Sequence, residues 1–208
     1  MVQETVELAE TFDPVFRPPA GAEFPDLLKS LGEHWECDLI LCRTVPGGQM
    51  SMEAGIVCFP SYWAPEDKIG LPVWDVHAPV PGLNAAIGHK IDHLLNRLPP
   101  GSAWLRLNWG LSASAERNQH PLRCPPRLTG VTPIGSIWLR LEYQALLRLP
   151  VTGGVLFGIQ LYSFSLEALR AKPTTASAIA GQLRSMPLEM QVYKGIQDVA
   201  WRVADWLN

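Results

Sequence analysis

Several features are absent from the sequence, and each absence argues against a class of function. It has no apolar run near the roughly 20 residues that a membrane-spanning helix needs, and its first four residues are not typical of a signal peptide. These absences predict a soluble cytoplasmic protein without a membrane partner. Charged residues make up only 18% of the chain and the net charge is −3, so no basic surface for nucleic acid is expected.

Motifs for zinc and for nucleotides are also missing. The four cysteines include no pair separated by two residues, which argues against a zinc site and predicts reduced, mostly buried thiols. Gly153-Gly154 and Pro46-Gly47-Gly48 are turn signals that match neither a P-loop nor a dinucleotide-binding loop. The sequence therefore predicts neither a structural metal nor a bound nucleotide.

What the chain does have is enough apolar sequence for one core. Its 208 residues, 47% of them hydrophobic, predict a single domain. Residues 1–22 contain Pro14, Pro18, Pro19 and Gly21, which predict an extended N-terminal arm over the surface of a domain formed by residues 23–208.

The hydrophobic periodicity predicts an α+β fold in which three consecutive strands favour an antiparallel sheet. We expect about five strands with helices on one side. The predicted helices are 24–35, 83–98, 174–185 and 188–207, and the predicted strands are 36–43, 52–59, 102–111, 136–147 and 154–164. Two proline-rich loops, 60–82 and 112–135, interrupt this order.

Two of the predicted strands carry unusually polar rows. Alternation places Arg106 and Asn108 on one side of the first, and Arg140, Glu142 and Gln144 on one side of the second. If the strands pair, these side chains converge beneath the 60–82 loop and form a polar pocket. A solvated sheet face with an Arg–Glu pair is the alternative that the pattern leaves open.

Histidine offers the candidate metal ligands. His77 lies just before Pro79 and Pro81, which restrict the backbone as an axial ligand requires, although a loop histidine bonded to backbone groups is the common alternative. Asp75 is the expected hydrogen-bond partner of its second ring nitrogen. His89 and His93 have a metal-binding i,i+4 spacing, but they fall opposite the apolar stripe of their helix.

Several sequence blocks, in this order, resemble the haem-dependent oxidative N-demethylase family. The resemblance covers roughly residues 24–207. The blocks are VCFPSYW (57–63), KIG (68–70), HAPVPG (77–82), RLNW (106–109), RLEYQALLRLP (140–150) and YKG (193–195).

The resemblance implies a PAS-like domain that binds haem b and uses O2 to remove a methyl group from a small secondary amine. Electrons would come from a separate reductase that carries flavin and an iron–sulfur centre and uses NADPH. His77 would be the proximal iron ligand. Glu142 and Arg140 would be the catalytic residues, with Glu142 the only acid available for a cationic amine. The remaining residues implied in cofactor binding are Arg106, Asn108, Gln144, Arg148 and Lys68.

Two other classes of function stay open at this point. One is a non-catalytic PAS-like sensor of haem or of a small molecule, and the other is a structural or regulatory domain with a vestigial pocket. The sequence fixes neither the substrate nor the reductase, and it leaves a homo-oligomer open.

Overall fold

The computed structural model describes residues 1–208 and has an α+β fold, as the sequence predicts. No helix is both long and apolar enough to cross a membrane. The strands are β1 (Asp38–Thr44), β2 (Met50–Ile56), β3 (Ala103–Ser112), β4 (Trp138–Arg148) and β5 (Val155–Ser165). The helices are α1 (Val2–Phe12), α2 (Phe24–Trp35), α3 (Val73–Val76), α4 (His89–Arg97), α5 (Leu166–Arg170), α6 (Pro173–Ser185), α7 (Leu188–Tyr193) and α8 (Ala200–Leu207).

The five strands form one antiparallel sheet in the order β2-β1-β5-β4-β3, which confirms the predicted sheet. A tight turn joins β4 to β5, and Gly153 adopts a positive φ of 66° there, which favours glycine. β3 and β4 pair so that Arg106 faces Gln144 and Asn108 faces Glu142. The assumed pairing of the two polar strands is therefore confirmed.

Helices cover both faces of the sheet, whereas the sequence predicted one side. We call the face that carries Arg106 and Glu142 the site face, and the opposite one the back face. α4 packs on the site face, where Leu95 joins Ile40 and Cys42 of β1. On the back face α1 and α2 cover one end and α5, α6 and α8 cover the other. β1 has buried apolar side chains on both faces of the sheet, so both faces must pack against other elements.

The N-terminal segment corrects the expectation of an extended arm. Residues 2–12 form α1, which buries Val6 and Ala9 against α2 and the back face. The carboxylate of Glu4 accepts backbone N–H bonds from Val151 and Thr152, at 2.6 and 3.1 Å. The prolines that suggested extended chain all lie after this helix. The division of the chain into an arm and one domain stays a prediction.

The C-terminal segment is two helices, and the prediction of one helix over 188–207 is wrong. α7 ends at Tyr193, and Gly195 then adopts a φ of +65°, which an α-helix cannot continue through. This break directs Lys194 toward β3, where it contributes to the site.

Candidate functional site

The polar rows of β3 and β4 form one hydrogen-bonded chain on the site face. Arg106 Nε donates to Gln144 Oε1 at 2.5 Å, and Gln144 Nε2 donates to Glu142 Oε2 at 2.7 Å. Asn108 Nδ2 donates to the same Glu142 oxygen at 3.0 Å. Four residues that the sequence predicted to converge are therefore in contact.

Arg140 lies at the centre of the site and is only 3% exposed. Its guanidinium donates to Ser61 Oγ at 3.0 and 3.2 Å, to Phe59 O at 3.1 Å and to Glu116 O at 3.2 Å. Ser61 Oγ in turn donates to Glu142 Oε1 at 3.4 Å. Arg140 therefore fixes both proline-rich loops over the sheet and reaches Glu142 through Ser61.

A second buried charge holds the start of the 60–82 loop. Asp38 in β1 is 3% exposed, and its Oδ1 accepts backbone N–H bonds from Cys58 and Phe59 at 2.7 and 2.9 Å. Burial raises the pKa of Asp38 to about 6, against the lowering effect of the two backbone bonds. Sequence reasoning missed this residue because it stands in an otherwise apolar strand.

Lys194 is a further site residue that was not among the predicted ligands. Its Nζ donates to Trp109 O at 2.7 Å and to Asn108 Oδ1 at 3.3 Å. Burial lowers the pKa of Lys194, and the charge of Glu142 opposes that shift. Lys194 belongs to the YKG block and Ser61 to the VCFPSYW block, so the resemblance contained a signal for both.

His77 lies directly after α3, half-buried, with its Nδ1 buried and without a hydrogen-bond partner. Nδ1 therefore bonds neither to Asp75 nor to any other group, and a bond from Asp75 to the second ring nitrogen stays a prediction. Burial lowers the pKa of His77, and the nearby charge of Arg106 lowers it further. The ring is accordingly neutral near pH 7, which is the form that ligates a metal.

The other sequence candidates lie apart from this network. Arg148 Nη1 donates to Leu95 O at 3.1 Å and so holds the last turn of α4. Lys68 ends the short 3-10 turn before residue 69, and its side chain makes no hydrogen bond with the network. The ring of His89 packs on Trp74 at 4.9 Å, and His93 is exposed on the outside of α4.

The site face has more cationic than anionic side chains. Arg106, Arg140 and Lys194 all lie at the site, and none forms an ion pair within 4.0 Å. The simple Arg–Glu pair of the solvated-face alternative is therefore not present. The arrangement can bind a carboxylate through its cations, and Glu142 Oε1, which has one long contact, can accept a bond from a cationic ligand.

Comparison with protein-family models gives a match over residues 4–204. The matching family is described as haem-dependent oxidative N-demethylase, alpha subunit-like. The chain belongs to this family.

Proposed function

We propose that this member of the family binds haem b on the site face and demethylates a small secondary amine with O2, in the cytoplasm. The observation that carries the proposal is the buried, unpartnered Nδ1 of the neutral His77 beside the cationic site. A buried polar atom without a partner costs stability, so it argues for a ligand that uses the imidazole.

The donor set fits haem in two ways. His77 would supply a neutral imidazole, a group that ligates haem iron in proteins. Arg106 and Lys194 supply cations that are not paired with a protein carboxylate, which suits the two propionates. His77 and these two residues would therefore hold the cofactor, with Asn108 and Gln144 orienting the cationic groups.

The proposed reaction balances with one O2 and two electrons. One oxygen atom enters formaldehyde with the methyl carbon, and the other leaves as water with two protons. Bound haem would supply the activation of O2. The electrons would come from NADPH through a separate reductase with flavin and an iron–sulfur centre, and the words "alpha subunit-like" in the family's description support a partner subunit.

The residues of the chain would bind and orient the amine. A protonated secondary amine presents N–H groups, and Glu142 Oε1 is the acceptor on the site face with capacity for them. Ser61 and Arg140 hold that oxygen in place, and Asn108 and Gln144 hold the other one. Glu142 would therefore fix the nitrogen, and with it the position of the methyl group.

A non-catalytic sensor is the second candidate, and one observation favours it. Ser61 already links Arg140 to Glu142 by hydrogen bonds, so the network holds together without a substrate. A sensor would bind haem through the same residues but would not turn over.

The test is formaldehyde release by the haem-loaded chain with NADPH, a flavin and iron–sulfur reductase and a panel of secondary N-methylamines. We expect amine-dependent formaldehyde, and Glu142→Gln should raise KM for the amine about 10- to 100-fold because a charge-assisted bond is lost. Glu167→Gln, an exposed acid on α5, is the matched control and should leave KM unchanged.

Each result separates the candidates. A Soret band without formaldehyde from any amine supports the sensor and rejects the enzyme. Absence of a Soret band after loading with haem rejects both.

A further inference from the structure

The outer edge of β3 has no covering element along most of its length. β3 is the last strand in the sheet order, and its six residues 103–108 are all exposed. Leu105 is 82% exposed and Leu107 is 60% exposed, although both side chains are apolar. An uncovered edge of this kind offers free backbone groups to another strand.

The hydrogen-bond pattern identifies which backbone groups are free. Arg148 N donates to Ser102 O, so the even-numbered residues of β3 are those that bond to β4. The N–H and C=O groups of Ala103, Leu105 and Leu107 therefore point outward. At Trp109 the outward carbonyl is already taken by Lys194 Nζ. The open edge thus consists of three residues centred on Leu105.

The opposite edge of the same sheet is protected. β2 is seven residues long, and its partner strand has a register shift between Leu41 and Cys42. The 60–82 loop covers it, because Met52 N donates to Leu71 O at 3.0 Å and Gly70 N donates to Met52 O at 2.7 Å. β3 is ten residues long and contains no proline, lysine or register shift, which protect many strand edges, and Arg106 is its only charged residue.

We propose that β3 pairs antiparallel with β3 of a second copy of the chain, around a two-fold axis at Leu105. A two-fold interface uses the same patch on both copies, and the open edge is symmetrical about this residue. In this register Leu105 pairs with Leu105 of the second copy, and Leu107 pairs with Ala103 of the second copy. All three outward residues of each copy therefore have a partner. The inference does not depend on the proposed haem chemistry.

Neighbouring registers are less favourable. An axis at Arg106 would place the two Arg106 side chains directly opposite each other, and like charges in that position destabilise a strand pair. The same shift would also pair Ala103 with Trp109, whose carbonyl is already bonded. An axis at Trp104 would leave the outward groups of Leu107 facing Gly101, beyond the end of the strand.

The proposed pairing adds a residue to the site. On the site face, Trp104 of one copy would lie opposite Arg106 of the other, so an exposed indole would cover the guanidinium. On the back face, the pairing would bury Leu105 and Leu107. Each copy would therefore help to enclose the Arg106 end of its partner's site.

Sedimentation velocity tests the interface. We expect the wild type to have twice the chain mass of 23.0 kDa, and Leu105→Lys to be monomeric at the same concentration because an edge lysine opposes strand pairing. Val151→Lys changes an equally exposed residue, 83% against 82%, outside β3, and should stay dimeric. A wild type that is monomeric at every concentration, or a dimeric Leu105→Lys, overturns the proposal.

Disulfide trapping tests the register in a Cys124→Ser background, with molecular oxygen as the oxidant. Across the proposed axis the two Cα atoms at position 105 would be about 5.5 Å apart, within disulfide range. The two at position 107 would be about 14 Å apart. Leu105→Cys should therefore cross-link and Leu107→Cys should not. The reverse result, or cross-linking of neither, rejects pairing at Leu105.

Discussion

The two faces of β4 differ in how their side chains are held. On the site face, Gln144 bonds to Glu142, and Arg140 bonds to the two proline-rich loops. On the back face of the same strand, Tyr143 is 52% exposed and contacts Tyr162 edge to face at 5.6 Å. Residues one position apart thus have opposite environments. Along this part of β4 the charged side is enclosed and the aromatic side is open, the reverse of the arrangement expected for a plain half-buried strand. Enclosing charges costs stability, so we infer that the site face is kept for a ligand.

The largest effect on stability should come from Arg140→Ala. The change leaves Phe59 O without its donor and leaves Glu116 O with only the bond from Gln119 Nε2. It also removes the group that positions Ser61, so we expect a loss of about 3–5 kcal/mol. Urea unfolding measures it. Arg140→Lys keeps the charge but loses the fork of donors, and its loss should be intermediate. A loss below about 1 kcal/mol for Arg140→Ala, the range of surface changes, would show that the site face is not enclosed.

Asp38→Asn should raise the free energy of unfolding at pH 7, whereas Arg140→Ala lowers it. Burial raises the pKa of Asp38 from 3.8 to about 6, so the folded chain binds a proton that the unfolded chain does not between these values. The protonated Asp38 therefore stabilises the fold fully below about pH 4, and this stabilisation is lost as the pH rises through about 6. A rise in pKa from 3.8 to about 6 corresponds to about 3 kcal/mol of folding free energy. This is the upper limit of the stability that the chain can gain at pH 7 when asparagine replaces the ionised carboxylate.

The measurement is the free energy of unfolding at pH 4 and pH 7 for the wild type and Asp38→Asn. Asn Oδ1 can still accept the N–H bonds of Cys58 and Phe59, so the loop should stay in place. A variant that is less stable than the wild type at pH 7 contradicts the predicted sign.

The smallest effect belongs to the back face. Tyr143→Thr keeps a good strand former and loses one edge-to-face contact with Tyr162, so we expect a loss of no more than about 1 kcal/mol. Thermal unfolding of this variant beside Arg140→Ala compares the two faces directly. A loss as large as that of Arg140→Ala would remove the distinction between them.

Strand alternation was sufficient to predict the fold class and the convergence of the polar rows. A period of two assigns Arg106 and Glu142 to one face when the apolar rows of the two strands share the other face. The tight turn between β4 and β5 makes antiparallel pairing of those two strands the simplest arrangement. This is why four predicted residues are found in one hydrogen-bonded chain.

The missed residues depend on single backbone positions or on long-range contacts. Lys194 reaches β3 because Gly195 breaks a helix that the periodicity predicts to be continuous. Asp38 contacts the start of a loop twenty residues later, which no local pattern reveals. Helix α1 was missed because the prolines after it dominated the composition of residues 1–22.

The central claim is that the site face holds haem through His77, and one set of spectra tests it most directly. Haem content and the Soret band of the wild type are compared with those of His77→Ala, His89→Ala and His93→Ala, each loaded in the same way. His89 and His93 are exposed on α4 and serve as matched controls. The account predicts that His77→Ala alone loses the axial-ligand spectrum and most of its haem. A normal spectrum in His77→Ala, or a wild type that binds no haem, would contradict it.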